Sequence, residues 1–103
     1  MALSWPAKDP EEVLDYPVDF TQWVVAGNTI ASAAAVIESM DGDDTANPLV
    51  IDLVNFATDI ANVWLSGGVS GIKYTFKVTV DDDNAVPSAR TGVRRVTIKL
   101  KEK

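Results

Sequence analysis

Cysteine and histidine are both missing from the 103 residues, and each absence closes off a class of chemistry. Without cysteine no disulfide can brace the fold, and nothing points to an oxidising compartment. Without histidine the chain lacks the usual general base near neutral pH, the commonest metal ligand and the middle member of a Ser-His-Asp triad. The chain therefore reads as a non-enzyme, with no cofactor and no metal implied. No apolar run reaches the roughly 20 residues that a bilayer-crossing helix needs. The opening Met1-Ala2-Leu3-Ser4-Trp5-Pro6 has neither a basic leader nor an apolar signal core, which predicts a soluble chain made in the cytosol with no membrane partner. Bases are also scarce: nine Lys and Arg stand against fifteen Asp and Glu, for a net charge of −6. That balance disfavours nucleic acid as a direct partner, because backbone affinity depends on cations displacing counterions.

A hydrophobic content of 47% is enough for one core in one domain. Charge is distributed unevenly along the chain. Residues 1–72 carry eleven acids and only Lys8 as a base, whereas residues 90–103 carry Arg90, Arg94, Arg95, Lys99, Lys101 and Lys103 against Glu102. The end of the sequence is a basic strip on an acidic body.

Prolines 6 and 10 make residues 1–12 an extended arm, and the domain is expected over residues 13–103. Leu14, Tyr16, Val18 and Phe20 alternate with Asp15, Pro17, Asp19 and Thr21, the pattern of a half-buried strand. Pro17 assigns it to a sheet edge, since proline cannot donate to a ladder. Trp23-Val24-Val25 extends the strand toward a turn at Gly27-Asn28. Residues 29–38 begin like a strand but hold Ala31 and Ala33-Ala34-Ala35, better helix formers than strand formers. Residues 49–64 fit two descriptions: Leu49, Leu53, Ala57, Ile60 and Trp64 have helical spacing, yet Val50 to Val54 also makes a good strand. The last third is plainer. After the turn at residues 66–71, Tyr74, Phe76, Val78 and Val80 alternate with polar residues, and Val96, Ile98 and Leu100 alternate with Arg95, Thr97, Lys99 and Lys101. The two runs should form a terminal hairpin across a loop at residues 82–91. Strands of this length without βαβ alternation indicate an all-β sandwich.

Leu65, Gly68, Gly71 and Tyr74 resemble the corner of immunoglobulin-like and fibronectin-type sandwiches. In those folds a leucine, a glycine turn and a tyrosine set the penultimate strand, and the tyrosine hydroxyl bonds a nearby backbone group. A wider resemblance rests on Trp5-Pro6-Ala7-Lys8-Asp9-Pro10, Glu12-Val13-Leu14-Asp15-Tyr16, Val18-Asp19-Phe20, Asn28-Thr29-Ile30 and Val63-Trp64-Leu65-Ser66-Gly67-Gly68. In order and spacing these segments look like small tailed-phage proteins described as fibre-tail adaptors. The resemblance implies an antiparallel immunoglobulin-like sandwich of about seven strands behind the arm. It also implies a place in the virion, at the neck or tail, joining a fibre or spike to the particle, and two strands rather than a helix over residues 49–64. Residues 33–35 depart from it, standing where many such sequences carry a tryptophan.

Two regions are candidates for contact with protein neighbours such as portal, tail or fibre proteins. Lys77, Arg95, Lys99 and Lys101 share the outward side of the terminal hairpin. Their charge either blocks edge-to-edge pairing or meets an acidic surface, and repeated contacts with the next copy would close a homo-oligomeric ring. In the arm, Trp5, Pro6 and Lys8 form either a free leader or a docking segment anchored by Trp5. An alternative function is an immunoglobulin-like recognition module for carbohydrate or a cell surface, which an outward Trp23 or Trp64 would favour. Asp41/Asp43/Asp44 and Asp81/Asp82/Asp83/Asn84 could supply oxygens to calcium, but they lack EF-hand spacing and read as solvated loops. The glycines at 67–71 lack the Gly-Lys-Ser/Thr ending of a phosphate loop.

Overall fold

The computed structural model describes residues 3–24, 28–83 and 90–102, and the chain is all-β over them. The strands are β1 (Leu3–Ser4), β2 (Leu14–Asp19), β3 (Ile30–Met40), β4 (Val50–Phe56), β5 (Ile60–Ser66), β6 (Lys73–Asp82) and β7 (Thr91–Lys99). Six of these form the body, one fewer than the expected number, and the seventh is a two-residue strand contributed by the arm. One sheet has the order β1-β7-β6-β3 and the other β2-β5-β4. All pairings are antiparallel except β1 with β7, which run parallel.

The alternating residues place one face of each sheet on a common core. Tyr16 and Val18 of β2 and Ala61, Val63 and Leu65 of β5 meet Tyr74, Phe76, Val78, Val80, Val96 and Ile98 from the other sheet. Nearly all are out of contact with solvent. β2 lies at a sheet edge, where Pro17 requires it to be.

The alanine-rich segment is a strand. β3 pairs in register with β6 from Ser32↔Asp81 to Ile37↔Phe76, so propensity yields to sheet pairing. Residues 49–64 are two strands paired from Val50↔Ser66 to Phe56↔Ala61, which removes the helical reading. The turn between them holds neither glycine nor proline; it is closed by Ala57 N–H donating to Ile60 O at 2.9 Å. The first strand is shorter than expected, ending at Asp19, after which residues 21–23 turn back and Trp23 and Val24 N–H both donate to Phe20 O. Val25, Gly27 and Asn84, together with residues 85–89 of the expected hairpin loop, lie outside the described residues.

Candidate functional site: the outer face of the terminal hairpin

β6 and β7 pair without interruption from Lys73↔Lys99 to Asp81↔Thr91. Because even-numbered residues of both strands fill the core, odd-numbered ones face out. The outer face therefore carries Lys73, Thr75 and Lys77 on β6 beside Lys99, Thr97 and Arg95 on β7. Two of the three cross-strand pairs join like charges, Lys77↔Arg95 and Lys73↔Lys99. Directly opposed like charges destabilise a sheet.

One of these cations has an internal partner. Arg95 reaches across β6 to Glu38 on β3, with Nε–Oε1 at 2.9 Å and Nη2–Oε2 at 3.3 Å. This fork and the nearby Lys77 hold the Glu38 carboxyl below its ordinary range, and Glu38 in turn raises the Arg95 guanidinium. Lys73 and Lys99 flank a shallow cleft of about 320 Å³, completed by Ser4, Trp5, Thr97 and Ile98. Lys101 is exposed just past the end of β7. Thus Lys77, Arg95, Lys99 and Lys101 stand on or beside one surface. Lys73 belongs with them although the sequence reading passed it over; its odd-number parity with Lys77 was the available signal.

The opposite outer face has the reverse character. β2, β4 and β5 contain no lysine or arginine, and Asp15 and Asp19 point outward from β2. Trp64 is half-buried there, paired with Asp15 on one side and Leu53 on the other.

The arm residues are placed differently. Trp5 is 9% exposed, stacks on Tyr16 at 5.2 Å between ring centroids, and donates its indole N–H to Pro17 O at 2.9 Å. Its ring anchors the arm to this chain's own core, leaving Pro6 exposed beside it. Lys8 is fully buried, its Nζ donating to Asp9 O at 2.9 Å and Gly67 O at 2.8 Å. Backbone bonds from Trp5 N to Thr97 O, Lys8 N to Lys99 O and Lys101 N to Lys8 O run the arm along β7.

At the corner, Leu65 and Tyr74 are buried, and Gly68 (φ +98°) lies where a Cβ would come within 2.8 Å of Leu100. The Tyr74 hydroxyl donates to Asp44 Oδ2 at 3.0 Å. The partner shown is a carboxylate. Burial first, and then Asp44, pushes the Tyr74 hydroxyl up to about 12. Asp44 Oδ2 also accepts Leu49 N–H at 3.0 Å, so one member of the first acidic cluster is a buried loop brace. The others accept from backbone: Asp43 from the nearby Thr45 N–H, and Asp41 from Lys73 N–H at the start of β6. In the second cluster Asp82 is buried and accepts Arg90 N–H. No group of three or more acids among the described residues is arranged to hold a metal ion.

At the other end of the core Phe20 and Trp23 meet edge to face at 5.9 Å. Arg94 lies over Phe20 at 5.1 Å and Arg90 over Trp23 at 5.0 Å. These two arginines cap the core rather than join the outer basic face.

No curated protein matches the chain. Comparison with known families does find a match, to podophage GP4 fiber-tail adaptor protein gp77, over residues 8–99. That span runs from the buried Lys8 through the corner to the last residue of β7, and the chain belongs to this podophage fiber-tail adaptor family.

Proposed function

We propose that the protein is a structural component of the phage particle that joins a fibre or spike to the neck or tail through protein contacts, and that the β6–β7 outer face makes one of them. The observation that carries this reading is the pair of like-charge ladder positions, Lys77↔Arg95 and Lys73↔Lys99. Glu38 offsets the repulsion at Lys77↔Arg95 from within the chain, and an acidic partner surface would offset that at Lys73↔Lys99 and set orientation. The base-free outer face of β2, β4 and β5 is such a surface, so copies stacked basic face on acidic face would close a ring, and an acidic patch on a portal, tail or fibre protein is equivalent chemistry.

The topology supports an immunoglobulin-like sandwich as the frame. β2, β5 and β4 take the places of strands B, E and D, while β3, β6 and β7 take those of C, F and G. The buried Tyr74 near the start of β6 fits that assignment. Within this frame residues 13–103 are the body and residues 1–12 the arm, of which residues 3–8 run along the β7 edge.

The test is the solution mass of the protein alone and mixed with portal, tail and fibre proteins of the same phage, at low and high salt. A ring or a stable complex that weakens with salt, and that the pair Lys99→Glu and Lys101→Glu dissolves while the fold persists, supports the reading. Assembly untouched by both changes defeats it. The outward, half-buried Trp64 favours a second reading, recognition of carbohydrate. A monomer that ignores every virion protein, yet is retained on immobilised glycans in a Trp64-dependent way, would establish that reading instead.

A further inference from the structure

The two sheets present four lateral edges, and three are defended. β7 is covered by β1 and the arm. β2 carries Pro17 between Asp15 and Asp19. β4 is interrupted by a register shift at Ile51/Leu53, beside Asp52. Such devices keep strand edges from pairing with foreign chains. β3 lacks them where it matters. Its irregularities fall between Ile30 and Ser32 and between Ile37 and Ser39, leaving residues 32–37 regular. That stretch, Ser32-Ala33-Ala34-Ala35-Val36-Ile37, has no charge and no proline, and Val36 is 55% exposed. Among the described residues no strand pairs with β3 on the side away from β6. β4 of the other sheet packs beside it.

The charges around this edge indicate what it accepts. Glu38, Asp41 and Asp43 lie at its far end; Glu38 is engaged by Arg95, so Asp41 and Asp43 set the sign there. At the near end Ser32 Oγ donates to Asp81 and Thr29 N–H to Asp83, placing two more carboxylates. The cations of this sheet stand one and two strands in, on β6 and β7. We infer that β3 is a strand-addition site for an extended segment of a partner protein, uncharged and apolar in its middle and basic at both ends. Main-chain hydrogen bonds would supply the affinity, and the alanines would admit larger partner side chains on the core side. A second copy fits poorly. Antiparallel pairing sets Asp41 and Asp43 against Asp81 and Asp83, and parallel pairing sets each acidic end against itself.

This site is separate from the basic face, so Lys99→Glu and Lys101→Glu leave it intact and the two readings fail independently. The probe is a synthetic peptide of about eleven residues, matched to β3, alternating valine and threonine with lysines at both ends. Its counterpart ends in glutamates. Binding is followed by amide hydrogen exchange and by affinity. The lysine-ended peptide is expected to slow exchange in residues 32–37 and not in β2 or β7, and to bind at least tenfold more tightly than the glutamate-ended one. Ala35→Lys, which puts a charge on the inward side of the edge, is expected to abolish binding. The exposed Val36→Lys serves the same purpose if that variant loses its fold. Equal binding of the two peptides, no binding of either, or binding unaffected by both substitutions overturns the proposal. Self-association of the protein that Val36→Lys removes would also overturn it, by assigning the edge to a second copy.

Discussion

Two tyrosines with similar burial make opposite uses of their hydroxyls. The Tyr16 hydroxyl is buried with no hydrogen-bond partner among the described residues, whereas that of Tyr74 is held by Asp44. Tyr74→Phe is therefore expected to lower the unfolding free energy by about 1–2 kcal/mol, and Tyr16→Phe to leave it unchanged or raise it by up to about 1 kcal/mol, as chemical denaturation would show. If Tyr16→Phe proved the more damaging, its hydroxyl would have an unrecognised role. Both hydroxyls are pushed up to about 12, Tyr16 by burial and then by Glu12. Because each is raised above the ordinary value near 10, the unfolded chain sheds these protons first as the pH climbs. Stability from this source is complete below about pH 10 and is expected to fall between about pH 10 and 12, readable in melting temperature against pH. Lys8 is the least legible residue in the sequence. Lysines are seldom fully buried, and the carbonyl that holds this one, Gly67 O, is 59 positions away. Lys8→Ala should cost about 2–4 kcal/mol, by leaving both carbonyls unmet and a void behind.

Among the elements, the glycine corner separates two kinds of requirement. Gly71 has φ +92° but open space around it, while Gly67 has φ +74° and a Cβ there would lie 2.4 Å from Pro48 O. Gly71→Ala is expected to cost about 1–2 kcal/mol from the backbone alone, and Gly67→Ala distinctly more, because a main-chain carbonyl must move. Equal melting temperatures for the two variants would contradict this account. The elements themselves differed in how readily they could be read. The β6–β7 hairpin was visible because period-two alternation runs through both strands, so the parity of its lysines and arginines followed. β4 and β5 were obscure because residues 57–59 turn the chain without glycine or proline, leaving one unbroken apolar stretch. β3 was obscured by alanines whose helical preference is overridden by pairing with β6. The arm was expected to be extended to residue 12; residues 9–12 turn instead, Glu12 N–H donating to Asp9 O at 3.0 Å, and nothing local told that Trp5 belongs to the core with Tyr16 and Phe76.

At the scale of the whole molecule the chain is elongated, 44 × 22 × 20 Å, with its strand-borne bases confined to one of two packed sheets. Removing residues 1–12 would strip Trp5 and Lys8 from the interior and uncover the β7 edge. Such a truncated protein is expected to melt well below the full chain and to self-associate, as calorimetry and light scattering would register. The parallel pairing of the arm with β7 also has a mechanical side. A pull that draws the start of the arm and the end of β7 apart runs along both strands, in opposite senses. The bonds from Trp5 to Thr97, from Lys8 to Lys99 and from Lys101 to Lys8 are then loaded together in shear, and none opens until all do. A pull that parts β6 from β7 at one end meets those ladder bonds one at a time. As a link under tension between particle and fibre, this protein would be far stiffer along its terminal strands than across its hairpin.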